Sequence, residues 1–243
     1  MNHSNSNDDP QKIAEVLLGH LQAAKILRQQ ANLRAETARD RLRLREWQAA
    51  RLARSYTDLL CSPRYGQAAK FFLSDLYGPK DFSSRDEEIE RILPMLTSML
   101  PASALHTTAL AVELDALTEA LDSAMVFELC RIGKITNIDD QAYALAYRTV
   151  GRRDERQRQV VLIHDTGEAL EKLARKPLLN TVLKLMRGPA RLAGLGDLHE
   201  FLKTGFDAFR KMGEASEFLE RIRAKEQQLL NNFFSGAAQP FDI

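Results

Sequence analysis

The chain has 243 residues, with 34 basic and 33 acidic side chains, 44% hydrophobic residues and two cysteines. That length can bury a core without covalent staples, and two cysteines exclude a disulfide framework. A net charge of +1 excludes overall charge as a drive onto nucleic acid or membrane, and no apolar run approaches the roughly 20 residues of a membrane span.

Composition points to helices. Leu (36) and Ala (30) outnumber Val plus Ile (17), Phe (11), Tyr (5) and the single Trp. Leu and Ala lose little on entering a helix, whereas strands draw on β-branched and aromatic residues. No stretch alternates convincingly at strand length, so the expected fold is an all-α multi-helix bundle.

Residues 1–10 read as a tail. Its polar, acidic start is unlike a secretory signal, and the expected location is a reducing cytoplasm. From His20 to Ser62 there is neither Gly nor Pro. Small or apolar residues recur there at heptad spacing, with Leu21, Ala35, Leu42, Ala49 and Tyr56 on one register and Ala24, Ala31, Ala38, Leu52 and Leu59 on the other. Unbroken from Gln11 to Cys61, this helix would be about 75 Å long. That exceeds the diameter of a globule this size, so residues 11–41 would project or pair with another helix as a coiled coil. A break near Asn32 would instead make two antiparallel helices.

Punctuation by Gly and Pro divides the rest. A helix from Gly66 to Tyr77 stops at Gly78-Pro79, and Ser84 with Glu87 forms a capping box for the next, which Pro94 should kink or end. Ser103 to Cys130 is the clearest single helix. Thr136 or Asn137 caps a short helix ending at Gly151, residues 152–176 form another, and Pro177 opens the next. Gly188-Pro189 and Gly194–Gly196 read as a loop, Asp197 caps a helix to Met212, and a last helix follows Gly213. Residues 11–235 thus form a single helical domain, with a second tail at 236–243.

The near-zero total charge is a cancellation. Residues 25–54 hold nine basic and three acidic groups, residues 83–128 two basic and nine acidic, and residues 172–191 six basic and none acidic. Basic and acidic helices could face each other inside the domain, or the basic face could meet phosphates or an acidic partner. Aromatic residues that stack bases are not interleaved with the arginines, so nucleic-acid binding is not expected.

Candidate chemistry is sparse. His106 and Glu113 share a helix face, with Glu113 among Ala109, Leu110, Ala116 and Leu117; a carboxylate there needs a partner, a proton or a metal. His164 and Glu168 are four residues apart and could share a site with them. No Glu-x-x-His pair, nucleophile elbow, phosphate loop or zinc-spaced cysteine pair occurs. Cys61 and Cys130 read as buried small hydrophobes, and His199 as exposed. Arg187 and Arg191 precede a helix start that could cradle an anion, although Asp197 would oppose it. Arg64, Tyr65, Asp75, Tyr77, Lys80 and Asp81 surround a Gly-Pro turn and either lock it or form a docking surface.

Four blocks, SPRY (62–65), FFLSDLYGPKDF (71–82), RGPARLAGLG (187–196) and GFDAFRKMG (205–213), resemble an uncharacterised family of all-helical proteobacterial proteins. The resemblance implies a bacterial, helical, cytoplasmic protein and carries no catalytic residues. With the residues themselves, it favours a non-enzymatic helical interaction or scaffold protein with no cofactor, acting with a protein partner or as a homo-oligomer. The alternative is a helical-bundle metal- or ligand-binding protein or enzyme using His106, Glu113, His164 and Glu168.

Overall fold

Few β-branched residues and many Leu, Ala and long charged side chains leave the backbone little alternative to helix. The structure, a computed structural model, describes residues 9–76, 83–99 and 102–242. Among them are eleven α-helices and no strand. In chain order they are α1 (Pro10–Asn32), α2 (Ala35–Ser55), α3 (Thr57–Cys61), α4 (Gly66–Phe71), α5 (Ser83–Met99), α6 (Ala102–Arg131), α7 (Asp140–Val150), α8 (Arg153–Ala174), α9 (Pro177–Leu192), α10 (Gly196–Met212) and α11 (Ser216–Ser235). A π-helical turn, Phe72–Leu76, extends α4.

The long N-terminal segment is two helices. Asp9 accepts a hydrogen bond from the Gln11 amide and Pro10 sits in the first turn, which starts α1. The helix ends at Asn32, and Arg34 is extended (φ −128°, ψ 129°). The chain folds back there: Arg41 reaches the Leu27 carbonyl (3.4 Å), and Arg28 and Arg41 meet the same carboxylate, Glu119. Residues 11–41 therefore do not project. Leu17, Leu21 and Ala24 are buried where α1 packs along α6 and α5.

Helix α6 is the central element, contacting α1, α2, α7 and α8. Three apolar clusters of buried residues form the core between the helices. One joins α1, α5, α6 and α10 through Leu17, Leu21, Leu93, Val112 and Leu198. A second gathers Tyr65, Phe71, Phe72, Phe209 and Phe218 from α4, α10, α11 and adjoining turns. The third is aromatic, with Leu44, Tyr143, Tyr147 and Phe233 from α2, α7 and α11.

Several boundaries differ from the punctuation. Asp139, not Thr136 or Asn137, caps α7 by accepting from the Ala142 amide (2.7 Å), because its carboxylate sits one residue before the first helical turn. Gly188-Pro189 lies inside α9 and Pro94 inside α5, so packing holds both helices through a residue that breaks isolated ones. Nor is the C-terminal segment a loose tail. Phe241 packs edge-on against Phe233 (centroids 5.1 Å) and Trp47 (5.8 Å), while Asn232 and Gln141 donate to the carbonyls of Pro240 and Ala238.

Candidate functional site

Part of the basic charge of α1 and α2 is paired inside the molecule, through Arg28, Arg41, Arg45 and Arg51. Glu119, in the middle of α6, is 1% exposed and receives Arg28, Arg41 and Arg45. Arg28 also reaches Asp115 (2.5 Å), and Arg45 reaches Asp122 (3.5 Å). A buried charge is tolerable only when paired and hydrogen-bonded, so this cluster links the N-terminal hairpin to the acidic helix. Burial, with Arg45 beside it, lowers the Arg41 guanidinium to about 10.

The polar network continues toward α11. Gln48 donates to Asp122 (3.0 Å), Arg51 to Glu226 (2.8 Å), and the Tyr56 hydroxyl to the same Glu226 oxygen (2.6 Å). Burial alone would depress Arg51, but Glu226 outweighs it and holds the guanidinium above its ordinary value. Arg156 of α8, 3% exposed, lies over the Tyr147 ring, with its guanidinium carbon 4.2 Å from the centroid. Burial pushes the Tyr147 phenol upward, against the opposing pull of Arg156.

Several of the residues singled out by sequence have partners of their own. His106 is exposed, Glu113 is held in a two-bond fork by Arg158 (2.8 Å each), and Glu168 faces Lys172 (3.4 Å). His164 contacts Glu220 (3.2 Å) and Asp165 (3.5 Å). Among the described residues, no group of three His, Cys, Asp or Glu could hold a metal ion. Arg64 donates to the carbonyls of Met212 and Glu214, and the Tyr65 hydroxyl to Glu217 (2.6 Å). Both therefore clasp the α10–α11 junction. The Asp75 side chain and residues Tyr77, Lys80 and Asp81 lie outside the described residues.

Three placements reverse expectation. Cys61 and Cys130 are exposed, because their helices turn other faces to the core; the Cys130 thiol is raised by partial burial and by Asp40, 3.5 Å away. His199 is buried, and its Nε2 donates to the Leu183 carbonyl (2.7 Å), which joins α10 to α9. The start of α10 does not wait for an external anion. Glu88 of α5 already accepts from the Leu198 amide there (2.8 Å), and Arg91 donates to the carbonyls of Ala193 and Gly194.

Residues 27–240 match the family described as Domain of unknown function (DUF8198). The chain belongs to this family. No curated protein and no solved structure matches it. Within the DUF8198 domain no described helix is long and apolar enough to cross a membrane.

One outer face of the DUF8198 domain combines apolar and basic side chains. On α9, Leu185 is 72% and Leu192 92% exposed, and Met186 is also exposed. Leu185 and Leu192, seven residues apart, lie on one stripe, with Lys184, Arg187 and Arg191 exposed beside them. The helix contains no acidic residue. Arg187 and Arg191 thus remain outward, beside apolar surface rather than around an anion cradle. The buried set of Arg51, Arg156, Tyr147 and Glu226 is not among the residues that the sequence singles out. Its signal was phase: Arg156 shares a stripe with Val160, Ile163, Gly167 and Leu170.

Proposed function

We propose that the protein is a non-enzymatic helical interaction protein whose contact surface is the outer face of α9. The observation that carries this reading is the exposure of Leu185 and Leu192 beside three basic residues with no acidic neighbour in the helix. Exposed apolar residues rimmed by charge are the usual composition of a protein contact. In the N-terminal hairpin, by contrast, Arg28, Arg41 and Arg45 are committed to Glu119, Asp115 and Asp122. Among the described residues, a pair of leucines as exposed as Leu185 and Leu192 is lacking beside Arg39 and Arg43. Two copies meeting through α9 would set arginine against arginine, so the fitting partner is a different protein with carboxylates around an apolar stripe. The bacterial cytoplasm is the setting that the sequence blocks imply.

The test is affinity purification from the native host, followed by light scattering on the recovered species. The wild-type chain should retain a stoichiometric partner. L185D/L192D should lose it while keeping the wild-type melting temperature, because both side chains already face solvent. A wild-type chain recovered as a monomer without partner, or a double variant that keeps its partner, contradicts the proposal.

A further inference from the structure

Arg156 presents a problem that the interaction surface does not solve. It is a guanidinium at 3% exposure, and neither Nε nor Nη2 has a hydrogen-bond partner. These two nitrogens form the side-on edge that grips a carboxylate through parallel bonds. Cation–π contact with Tyr147 satisfies the face of the group but not its N–H donors. An uncompensated buried charge is among the costliest features a fold can carry.

The surroundings indicate what would compensate it. Arg156 forms part of the wall of a cavity of about 110 Å³ between α2, α3, α4 with its π-helical turn, α6, α7, α8 and α11. The other charged groups of that wall already have partners, Arg51 with Glu226 and Asp122 with Gln48 and Arg45. One positive charge is therefore left over, which matches one negative charge. Most of the remaining wall is apolar, including Leu52, Leu59, Phe72, Phe218 and Ile222. A cavity of roughly 150 Å³ accommodates benzene, so this one suits a molecule of about four to six heavy atoms. An inorganic phosphate would leave several oxygens against hydrocarbon, whereas a carboxylate with a short aliphatic chain would match both halves.

We propose that the central cavity is a binding site for a short-chain aliphatic monocarboxylate, held by the side-on edge of Arg156 with its alkyl chain among the apolar residues. This site is independent of α9 and would operate whether or not α9 engages a partner.

The experiment uses the full-length chain and sodium butyrate, with sodium chloride at equal ionic strength, sodium phosphate and neutral 1-butanol as comparisons, read by calorimetric titration and thermal unfolding. Butyrate should bind saturably at one site per chain and raise Tm by roughly 5–10 °C at about 100 times its Kd. Chloride and butanol should not. R156M removes the charge while keeping much of the side-chain volume. It should melt at or above the wild-type temperature without butyrate, because a buried unpaired charge has gone, and should lose the butyrate response. R156K keeps the charge without the fork and should bind roughly tenfold more weakly. Failure of butyrate to bind, an undiminished response in R156M, or tighter binding of phosphate than butyrate would overturn the proposal. So would an R156M chain that melts below wild type, since Arg156 would then be a satisfied structural cation.

Discussion

At the residue scale, Glu119 carries the largest single burden. Three arginines from α1 and α2 converge on it, and its removal would leave their charges short of a buried partner. Glu119→Gln should destabilise the fold by about 3–5 kcal/mol, a fall in Tm of roughly 10 °C. The solvent-facing Glu168→Gln should stay within about 0.5 kcal/mol. Thermal unfolding of the two variants checks the contrast, and equal effects would mean that the cluster does not organise the hairpin. Tyr147 makes a prediction about pH. Its phenol titrates above the ordinary value because it is buried, so the folded state favours the protonated form. The associated stability is present below about pH 10, where an unfolded tyrosine is also protonated, and is lost as pH rises toward the folded value. Urea unfolding from pH 9 to 12 should show this decline in wild type and a shallower one in Tyr147→Phe.

At the element scale, the helices meet closely enough that some positions cannot hold a methyl group. A Cβ at Gly205 of α10 would come within 2.6 Å of the Phe71 ring. Gly205→Ala should therefore cost about 1–3 kcal/mol through overpacking, despite alanine's better helix propensity. Gly19 of α1 is exposed with nothing within 4 Å of such a Cβ, and Gly19→Ala should stabilise by about 0.5–1 kcal/mol. Chemical denaturation of both variants, with opposite signs expected, tests the packing of α10 on α4. How far the elements were legible follows the same physics. Local propensity reports helix existence, and α6, α8 and α11 were evident from composition and period. Propensity does not report packing. The break at Leu33–Arg34 contains neither Gly nor Pro, so the sequence offered a break near Asn32 only as the alternative to one long helix, and tertiary pairing of Arg28 and Arg41 with Glu119 decides for the fold-back. Conversely, Pro94 and Pro189 looked like stops yet lie within helices.

At the scale of the whole molecule, the candidate contacts were legible only in part. The opposed charges of residues 25–54 and 83–128 were visible, but their cancellation inside the fold depends on neighbours more than seventy positions apart, such as Arg45 and Glu119. Arg156 was hidden for a related reason. Residues 152–158 contain four arginines, so one buried among three exposed ones looked like part of a solvated face. Once the internal pairs are set aside, the basic stripe of α9 beside Leu185 and Leu192 remains outward, and it is the surface proposed to meet an acidic partner. The measurement that tests this most directly compares two charge reversals of equal type, R187E/R191E on α9 and R39E/R43E on the exposed side of α2. Partner retention is read for each at matched stability. The α9 reversal should abolish retention and the α2 reversal should leave it intact; loss with the α2 variant and retention with the α9 variant would contradict the account.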